Sequence, residues 1–297
     1  MALFALLGPF LWGFTNVIDT VIRRQFILND VALVWLVSVA RLFLIGAFLL
    51  MSGFDYPGLA AFLLMLLSGA IWLLPLILYF KSLEFEEPTR VALMSQMTPL
   101  FTLMIAFLFL KETLNATQLI AFIFLMTASA LASLKRLQKQ WHFSKAIPMI
   151  LIATFMWAVS DVLFKHIVFH FTSFYSAMAV FLLGGFLAVN ALLFIRSTRR
   201  LVFKSLANLS LYVWVLIFLT MLAGALGSVA FGYALTLGKA SLTAVLLGIQ
   251  PLVAFSLGFL LKPFVKEIQL EHADRFALLL KGLSFILVML GLYLINR

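Results

Sequence analysis

The chain has 297 residues, of which 65% are hydrophobic and 11% are charged, and its mean hydropathy is +1.16. Because soluble domains are about half apolar and a quarter charged, no soluble core could hide this much apolar surface, which excludes a soluble protein. The net charge of +10 would favour nucleic-acid binding in a soluble protein, but here the basic residues lie in short connections between apolar runs. Membrane topology and contact with anionic lipid explain those residues more simply.

Ten apolar runs follow one another, each close to the roughly 20 residues that a membrane-spanning helix needs. They cover roughly 2–22, 31–51, 58–80, 89–110, 115–134, 146–168, 172–195, 209–232, 240–261 and 276–296. The first run has no basic segment before it, so we expect a membrane span there rather than a secretory signal. The connections are too short to form a domain, and any function must lie within the membrane. The sequence predicts an all-α, ten-helix protein of the cell (inner) membrane.

The first run carries polar residues on one face of its helix. Trp12, Asn16 and Asp19 are spaced i, i+4 and i+7. A bare charge at the centre of a bilayer costs about 3 kcal/mol, so such a face predicts a polar cavity. Two alternatives stay open. Asp19 could pair with Arg23 four residues later, near the helix end, and Asn16 could bond a neighbouring helix.

The second run contains one cation, Arg41, close to its middle. A guanidinium at that depth needs a partner inside the bundle. We expect a structural role rather than contact with substrate, with backbone carbonyls or a carboxylate, Glu84 or Glu112, as the candidate partner.

Prolines interrupt the third and fourth runs. Pro75 lies between Trp72 and Tyr79, and together they predict a kinked aromatic surface, although Tyr79 would also suit an interfacial aromatic belt. Pro99 removes a backbone donor beside Gln96, which would free carbonyl groups one turn earlier. We interpret both prolines as hinges, against the alternative that they only bend their helices.

The sixth run repeats the pattern of the first. Trp157, Ser160, Asp161 and Phe164 share a face. Asp161 lies nearer the middle of its helix than Asp19 does, which favours a role in a cavity. The alternative is an ordinary pair with Lys165, four residues later.

The eighth and ninth runs add small residues and a further proline. Gly224, Ser228 and Gly232 recur at intervals of four, which predicts close helix packing first and a wall for substrate passage second. Pro251, preceded by Gln250, is interpreted as a hinge like Pro99.

These similarities indicate an internal duplication of five helices. The segment "WGFTNVID" (12–19) aligns with "WAVSDVLF" (157–164), and Pro99 aligns with Pro251. When a unit with an odd number of crossings is duplicated, the second copy enters the membrane from the opposite side. The two repeats are therefore predicted to be inverted. We predict the repeats at 1–138 and 139–297. Inverted repeats are typical of secondary transporters that alternate access around a site near the midplane.

The chain resembles the EamA-type transporters of the drug/metabolite transporter superfamily. The resemblance is carried by the Trp-Gly of the first helix, the Arg of "ARLFLIGAFLL" (40–50), the Pro of the fourth helix followed by "FLKE" (109–112), and the duplicated layout. It implies a basket of ten helices around a central cavity lined by helices 1, 3, 4, 6, 8 and 9. Two features depart from the family: "LKPF" (261–264) replaces the second "FLKE", and Gln250 stands where many members carry Glu.

The function predicted is secondary transport of small amphipathic solutes, such as amino acids, other metabolites or organic cations. The residues predicted to bind substrate are Trp12, Asn16, Trp72, Tyr79, Gln96, Trp157, Ser160, Asp161 and Gln250. No catalytic or metal-binding motif is present and there is no cysteine, so we expect no enzyme, no cofactor and no metal. We expect a monomer whose partners are its substrate and membrane lipid, not nucleic acid. The first alternative is a non-transporting or lipid-handling membrane protein, and the second is an intramembrane enzyme.

The loop charges predict an orientation. Most of the 21 basic residues lie in the odd-numbered connections. The positive-inside rule places those connections in the cytoplasm and both termini outside. Family members more often have both termini inside, so charge and resemblance disagree on this point.

Overall fold

A computed structural model describes residues 2–26, 29–85, 91, 94–133, 144–207, 209–265 and 275–295. These residues are helical and contain no strand, which confirms the all-α class. The helices are α1 (Ala2–Gln25), α2 (Asp30–Ser52), α3 (Leu59–Leu73), α4 (Pro75–Ser82), α5 (Met97–Leu110), α6 (Ala116–Ser133), α7 (Ala146–Val168), α8 (Phe174–Ala191), α9 (Arg196–Leu206), α10 (Leu211–Leu237), α11 (Ala240–Val245), α12 (Gln250–Leu261) and α13 (Arg275–Ile295).

Seven segments of the described chain are long and apolar enough to cross a membrane. They are Phe4–Arg23, Asp30–Ser52, Leu59–Ser82, Ala146–Val168, Phe174–Phe194, Leu211–Leu237 and Ala240–Gly258. Three apolar helices are shorter: Met97–Leu110, Ala116–Leu131 and Leu279–Ile295. Each of the ten segments overlaps one of the predicted runs, and four of them extend past the predicted bounds by one to five residues. Because three of the helices are shorter than a full span, ten membrane crossings stay a prediction.

Local signals explain where several helices begin and end. The Asn29 side chain accepts a hydrogen bond from the Ala32 amide at 2.9 Å, which caps the start of α2. Gly53 ends the same helix with a φ of 71°, and its amide donates to the Leu49 carbonyl. Ser173 and Ser210 cap α8 and α10 in the same way as Asn29. Polar caps therefore stand at the ends of otherwise apolar helices.

The three prolines interpreted as hinges all lie at interruptions of a helix. The helix path breaks at Leu74 between α3 and α4, immediately before Pro75. A turn at Gln96 precedes α5, in which Pro99 is the third residue. A 3-10 segment, Leu246–Ile249, precedes Pro251 in α12. A proline lacks the amide that would complete the preceding turn, which explains these breaks. Motion about them stays a prediction.

Close helix contacts depend on glycine. A Cβ atom on Gly69 of α3 would lie 1.7 Å from the Phe181 carbonyl oxygen, and one on Gly184 of α8 would lie 2.0 Å from the Leu66 carbonyl oxygen. The backbones of α3 and α8 therefore touch at a crossing that admits no side chain. This crossing is tighter than any contact of the small residues in α10 that the sequence pointed to.

The helices begin and end at two opposite sides of the bundle, which we name the Arg23 end and the Glu112 end. At the Arg23 end, α1 and α4 finish and α2 begins; at the Glu112 end, α5 and α7 finish and α11 begins. The connection "RSTRRLVFKS" (196–205) lies entirely within α9, which is at the Arg23 end and packs on α2. No glycine, proline, asparagine or aspartate interrupts this helix, and its inward-facing residues Thr198, Val202 and Leu206 recur every four residues.

Candidate functional site

A small cavity lies inside the bundle, between its middle and the Glu112 end. It is lined by Trp12, Trp72, Asp161, Phe164, Met178, Phe181, Ser228, Phe231, Gly232 and Leu235, which come from α1, α3, α7, α8 and α10. It has room for about one water molecule. Three of the residues predicted to bind substrate line it: Trp12, Trp72 and Asp161.

Five of the ten residues that line the cavity are aromatic. The ring of Trp12 lies 5.8 Å from that of Trp72 and 5.3 Å from that of Phe231, measured between centroids. Phe181 lies 6.4 Å from Trp72 and 5.1 Å from Phe164. Faces of such rings attract cations and stack with other aromatic groups. The wall therefore suits a ligand with an aromatic or cationic part.

Asp161 is the one charged group that lines this cavity, and it is only 4% exposed. Its carboxylate makes no hydrogen bond or ion pair with any residue that the structure describes. Lys165, the alternative partner, binds elsewhere: its ammonium lies 2.5 Å from Glu112 Oε1 and also donates to the Gly238 carbonyl. The alternative of a local pair with Lys165 is therefore wrong, and Asp161 faces the cavity without a counter-ion from the part of the chain that the structure describes.

The two repeated tryptophans make matching hydrogen bonds. Trp12 Nε1 of α1 donates to the Gly224 carbonyl of α10 at 3.1 Å. Trp157 Nε1 of α7 donates to the Trp72 carbonyl of α3 at 3.0 Å. Trp157 is not among the residues that line the cavity; instead it holds the backbone of a residue that does.

Ser160 also acts on α3 rather than on the cavity. Its hydroxyl donates to the Ser68 carbonyl at 2.9 Å, while the Ser68 hydroxyl donates to the Ser160 carbonyl at 3.0 Å. Both serines are fully buried. This reciprocal pair joins α7 to α3 directly beside Asp161, and so fixes the carboxylate relative to the Trp72 wall.

The remaining predicted site residues lie away from the cavity lining. Asn16 is half-buried on α1, and Tyr79 is half-buried with its ring 6.1 Å from that of Trp157. Gln96 is buried in the turn before α5, and Gln250 is half-buried at the first position of α12. None of the four is part of the described cavity wall. Their contact with substrate stays a prediction.

Asp19 and Arg23, considered as a local pair, have other partners. The Asp19 side chain interacts with the hydroxyl of Thr220 on α10. Arg23 binds Asp30 Oδ1 at 2.6 Å and Glu84 Oε1 at 2.5 Å. Arg23 thus joins α1 to the start of α2 and to the segment after α4, closing the Arg23 end with ion pairs.

Arg41 lies directly behind the cavity wall. It is 1% exposed, and its guanidinium carbon is 4.8 Å from the Trp72 ring centroid. Its Nε and Nη1 have no hydrogen-bond partner among the described residues. The expected pairing with Glu84 or Glu112 is wrong, because those carboxylates bind Arg23 and Lys165. Stacking on an aromatic face is the contact that the structure gives this cation.

Several wall residues carried no signal that sequence reasoning could use. Phe181 and Phe231 belong to a set of 32 phenylalanines, most of which would suit lipid contact equally well. Met178 and Leu235 are ordinary apolar residues of α8 and α10. Ser228 stood in the small-residue series of α10, for which a wall was the second interpretation. Only the packing of five helices selects these positions.

Comparison with known proteins decides the family. The model of the EamA-like transporter family matches residues 1–134 and 144–270. The chain belongs to the EamA-like transporter family. Members of this family are transporters rather than enzymes, and together with the apolar helices this makes the chain a multi-pass membrane transporter of the drug/metabolite type.

Solved structures share the fold of this EamA-like transporter. One of them, described as "Crystal structure of protein", superposes with a TM-score of 0.71 over 99% of this chain and 97% of its own, at 13% sequence identity. At this identity the likeness concerns the fold alone. None of the curated proteins matches the sequence.

Proposed function

We propose that this EamA-like transporter moves small organic solutes that carry an ammonium group, such as organic cations or amino acids, by alternating access around the Asp161 cavity. The observation that carries the proposal is a deeply buried carboxylate without a partner, set in an aromatic wall. An ionised side chain at membrane depth costs about 3 kcal/mol, so such residues occur mainly where they serve a function. An ammonium ion supplies the missing counter-charge.

The surroundings of Asp161 favour this ligand over others. Cation–π contact with Trp12 or Trp72 would contribute about 0.5–2 kcal/mol for an ammonium group. A phosphate would need several cations, whereas the guanidinium of Arg41 lies behind the Trp72 ring. A sugar would need many polar groups, and beside Asp161 the wall offers one hydroxyl, that of Ser228.

Ion pairs lie at both ends of the bundle that contains the cavity. Arg23 holds Asp30 and Glu84 together at one end, and Lys165 holds Glu112 at the other. Entry of a solute from either side requires one of these ion-pair clusters to open. We place the bending at the helix interruptions at Pro75, Pro99 and Pro251, because each proline lacks the amide hydrogen bond that would otherwise resist it.

Inverted symmetry explains how one site can serve both sides. In the first half α1 packs along α10, and in the second half α7 packs along α3 and α4. The bonds from Trp12 to α10 and from Trp157 to α3 follow the same rule. We therefore interpret 1–138 and 139–297 as inverted five-helix repeats. When the two repeats exchange conformations, one end of the bundle opens and the other closes.

Transport by purified protein in liposomes tests the proposal. The panel is phenethylammonium, phenylalanine, the neutral phenethyl alcohol and glycerol 3-phosphate, each measured with and without a pH gradient against protein-free liposomes. We expect saturable uptake of at least one of the two ammonium compounds and none of glycerol 3-phosphate. Transport of glycerol 3-phosphate alone would reject the substrate class. Failure of every solute to be transported or to raise the melting temperature would favour the lipid-handling alternative.

A further inference from the structure

Helix α9 is unlike the other helices of the described chain, because it is short and polar and lies between two apolar spans. Its eleven residues, Arg196–Leu206, join α8 to α10 at the Arg23 end. Four of them are basic and none is acidic. A helix attached at both ends to membrane spans must lie at the surface of the bilayer, within reach of lipid head groups.

The faces of α9 are clearly separated. Val202 is fully buried against the bundle, with Thr198 and Leu206 half-buried on the same side. The cations at 196, 200 and 204 recur every four residues, so they form one stripe on the opposite face. These three are exposed, and none makes an ion pair or hydrogen bond with a residue that the structure describes. The stripe thus carries three uncompensated charges.

Large apolar side chains flank the basic stripe. Phe194 is 91% exposed just before the helix, and Leu201 and Phe203 are 53% and 51% exposed within it. Phe203 also contacts the Trp35 ring of α2 at 5.5 Å between centroids. Exposed apolar residues beside cations are the pattern of a helix that lies in the membrane interface, with rings among the acyl chains and charges among the head groups.

We propose that α9 is a binding surface for anionic phospholipid, with the stripe Arg196, Arg200 and Lys204 contacting phosphate groups of the adjacent leaflet. Guanidinium groups bind phosphate oxygens with paired, charge-assisted hydrogen bonds. The flanking Phe194 and Phe203 select a phosphate that carries acyl chains over a free one. Because the cytoplasmic leaflet holds the anionic lipids, the proposal also places the Arg23 end in the cytoplasm.

Lipid binding by the full-length protein tests the proposal without reference to transport. Native mass spectrometry counts phosphatidylglycerol and phosphatidylcholine bound to detergent-solubilised protein, and thermal unfolding follows the same titrations. We expect phosphatidylglycerol to bind at least tenfold more tightly than phosphatidylcholine. The variant R196Q/R200Q/K204Q should lose that preference, whereas R196K/R200K/K204R, which keeps the charge, should retain it.

A matched pair of single variants checks that position matters as well as charge. Arg200→Gln should weaken phosphatidylglycerol binding several-fold, and Lys111→Gln, which removes an exposed cation from the Glu112 end, should not. An unchanged preference in the triple glutamine variant overturns the proposal. So does equal competition by free glycerol 3-phosphate, which would indicate a soluble-anion site. Binding of polyglutamate in place of phosphatidylglycerol would assign the stripe to an acidic protein partner instead.

Discussion

The substitution Asp161→Asn separates a functional carboxylate from a structural one, because the two roles predict opposite effects on stability. The side chain has no hydrogen bond or ion pair within the described chain, so no contact in the structure is lost on substitution. Removing an uncompensated acid from membrane depth removes a cost that reaches about 3 kcal/mol when the group is ionised. We therefore expect the ligand-free variant to melt at the same temperature as the wild type or higher.

Although Asp161→Asn should not destabilise the protein, it should weaken the binding of phenethylammonium. Two unit charges 4 Å apart interact by about 4 kcal/mol at an effective dielectric constant of about 20, and desolvation of the ammonium offsets part of this. We expect a net loss of about 2.7 kcal/mol, which is roughly a 100-fold rise in the Kd for phenethylammonium. The affinity for neutral phenethyl alcohol should stay within about threefold of the wild type.

The assay is thermal unfolding in detergent, titrated with each compound, followed by uptake in liposomes. Asp19→Asn is the matched control, because Asp19 is an acid in the corresponding helix that already interacts with Thr220. The control should lose stability and keep the preference for the ammonium compound. A lower melting temperature for Asp161→Asn with an unchanged Kd would refute the reasoning and return Asp161 to a structural role.

Three further predictions concern the closed end, the tightest crossing and the orientation. Glu112→Gln should lower the unfolding free energy by about 3 kcal/mol, because it leaves the largely buried Lys165 ammonium without its carboxylate; an unchanged melting temperature would contradict this. Gly69→Ala should prevent folding, since its Cβ would lie 1.7 Å from a carbonyl oxygen of α8, whereas Gly46→Ala, which meets nothing within 4 Å, should be neutral in expression and melting temperature. Single cysteines at position 140 and at the C-terminus should react with an impermeant reagent in intact cells only at the C-terminus; the reverse result would overturn the charge-based orientation.

The class of protein and two of the residues that line its cavity could be predicted from the sequence. Continuous apolar runs can satisfy their backbone groups in a membrane only as helices, so composition was enough to predict an all-α membrane protein. The repeated Trp-polar pattern also pointed to Trp12 and Asp161, since a charge deep in an apolar run is expensive wherever the helix packs. These inferences needed only properties of single helices.

Helix packing sets which of the polar residues share a cavity and which hold the helices together. Trp157 and Ser160 share a helix face with Asp161, yet they bond α3 and are not part of the cavity lining. Helical periodicity assigns residues to a face, but it does not say which helix that face meets. The partners of Arg41, Arg23 and Lys165 likewise depend on which helix ends come together in space. Those contacts join residues far apart in the chain, and packing alone sets them.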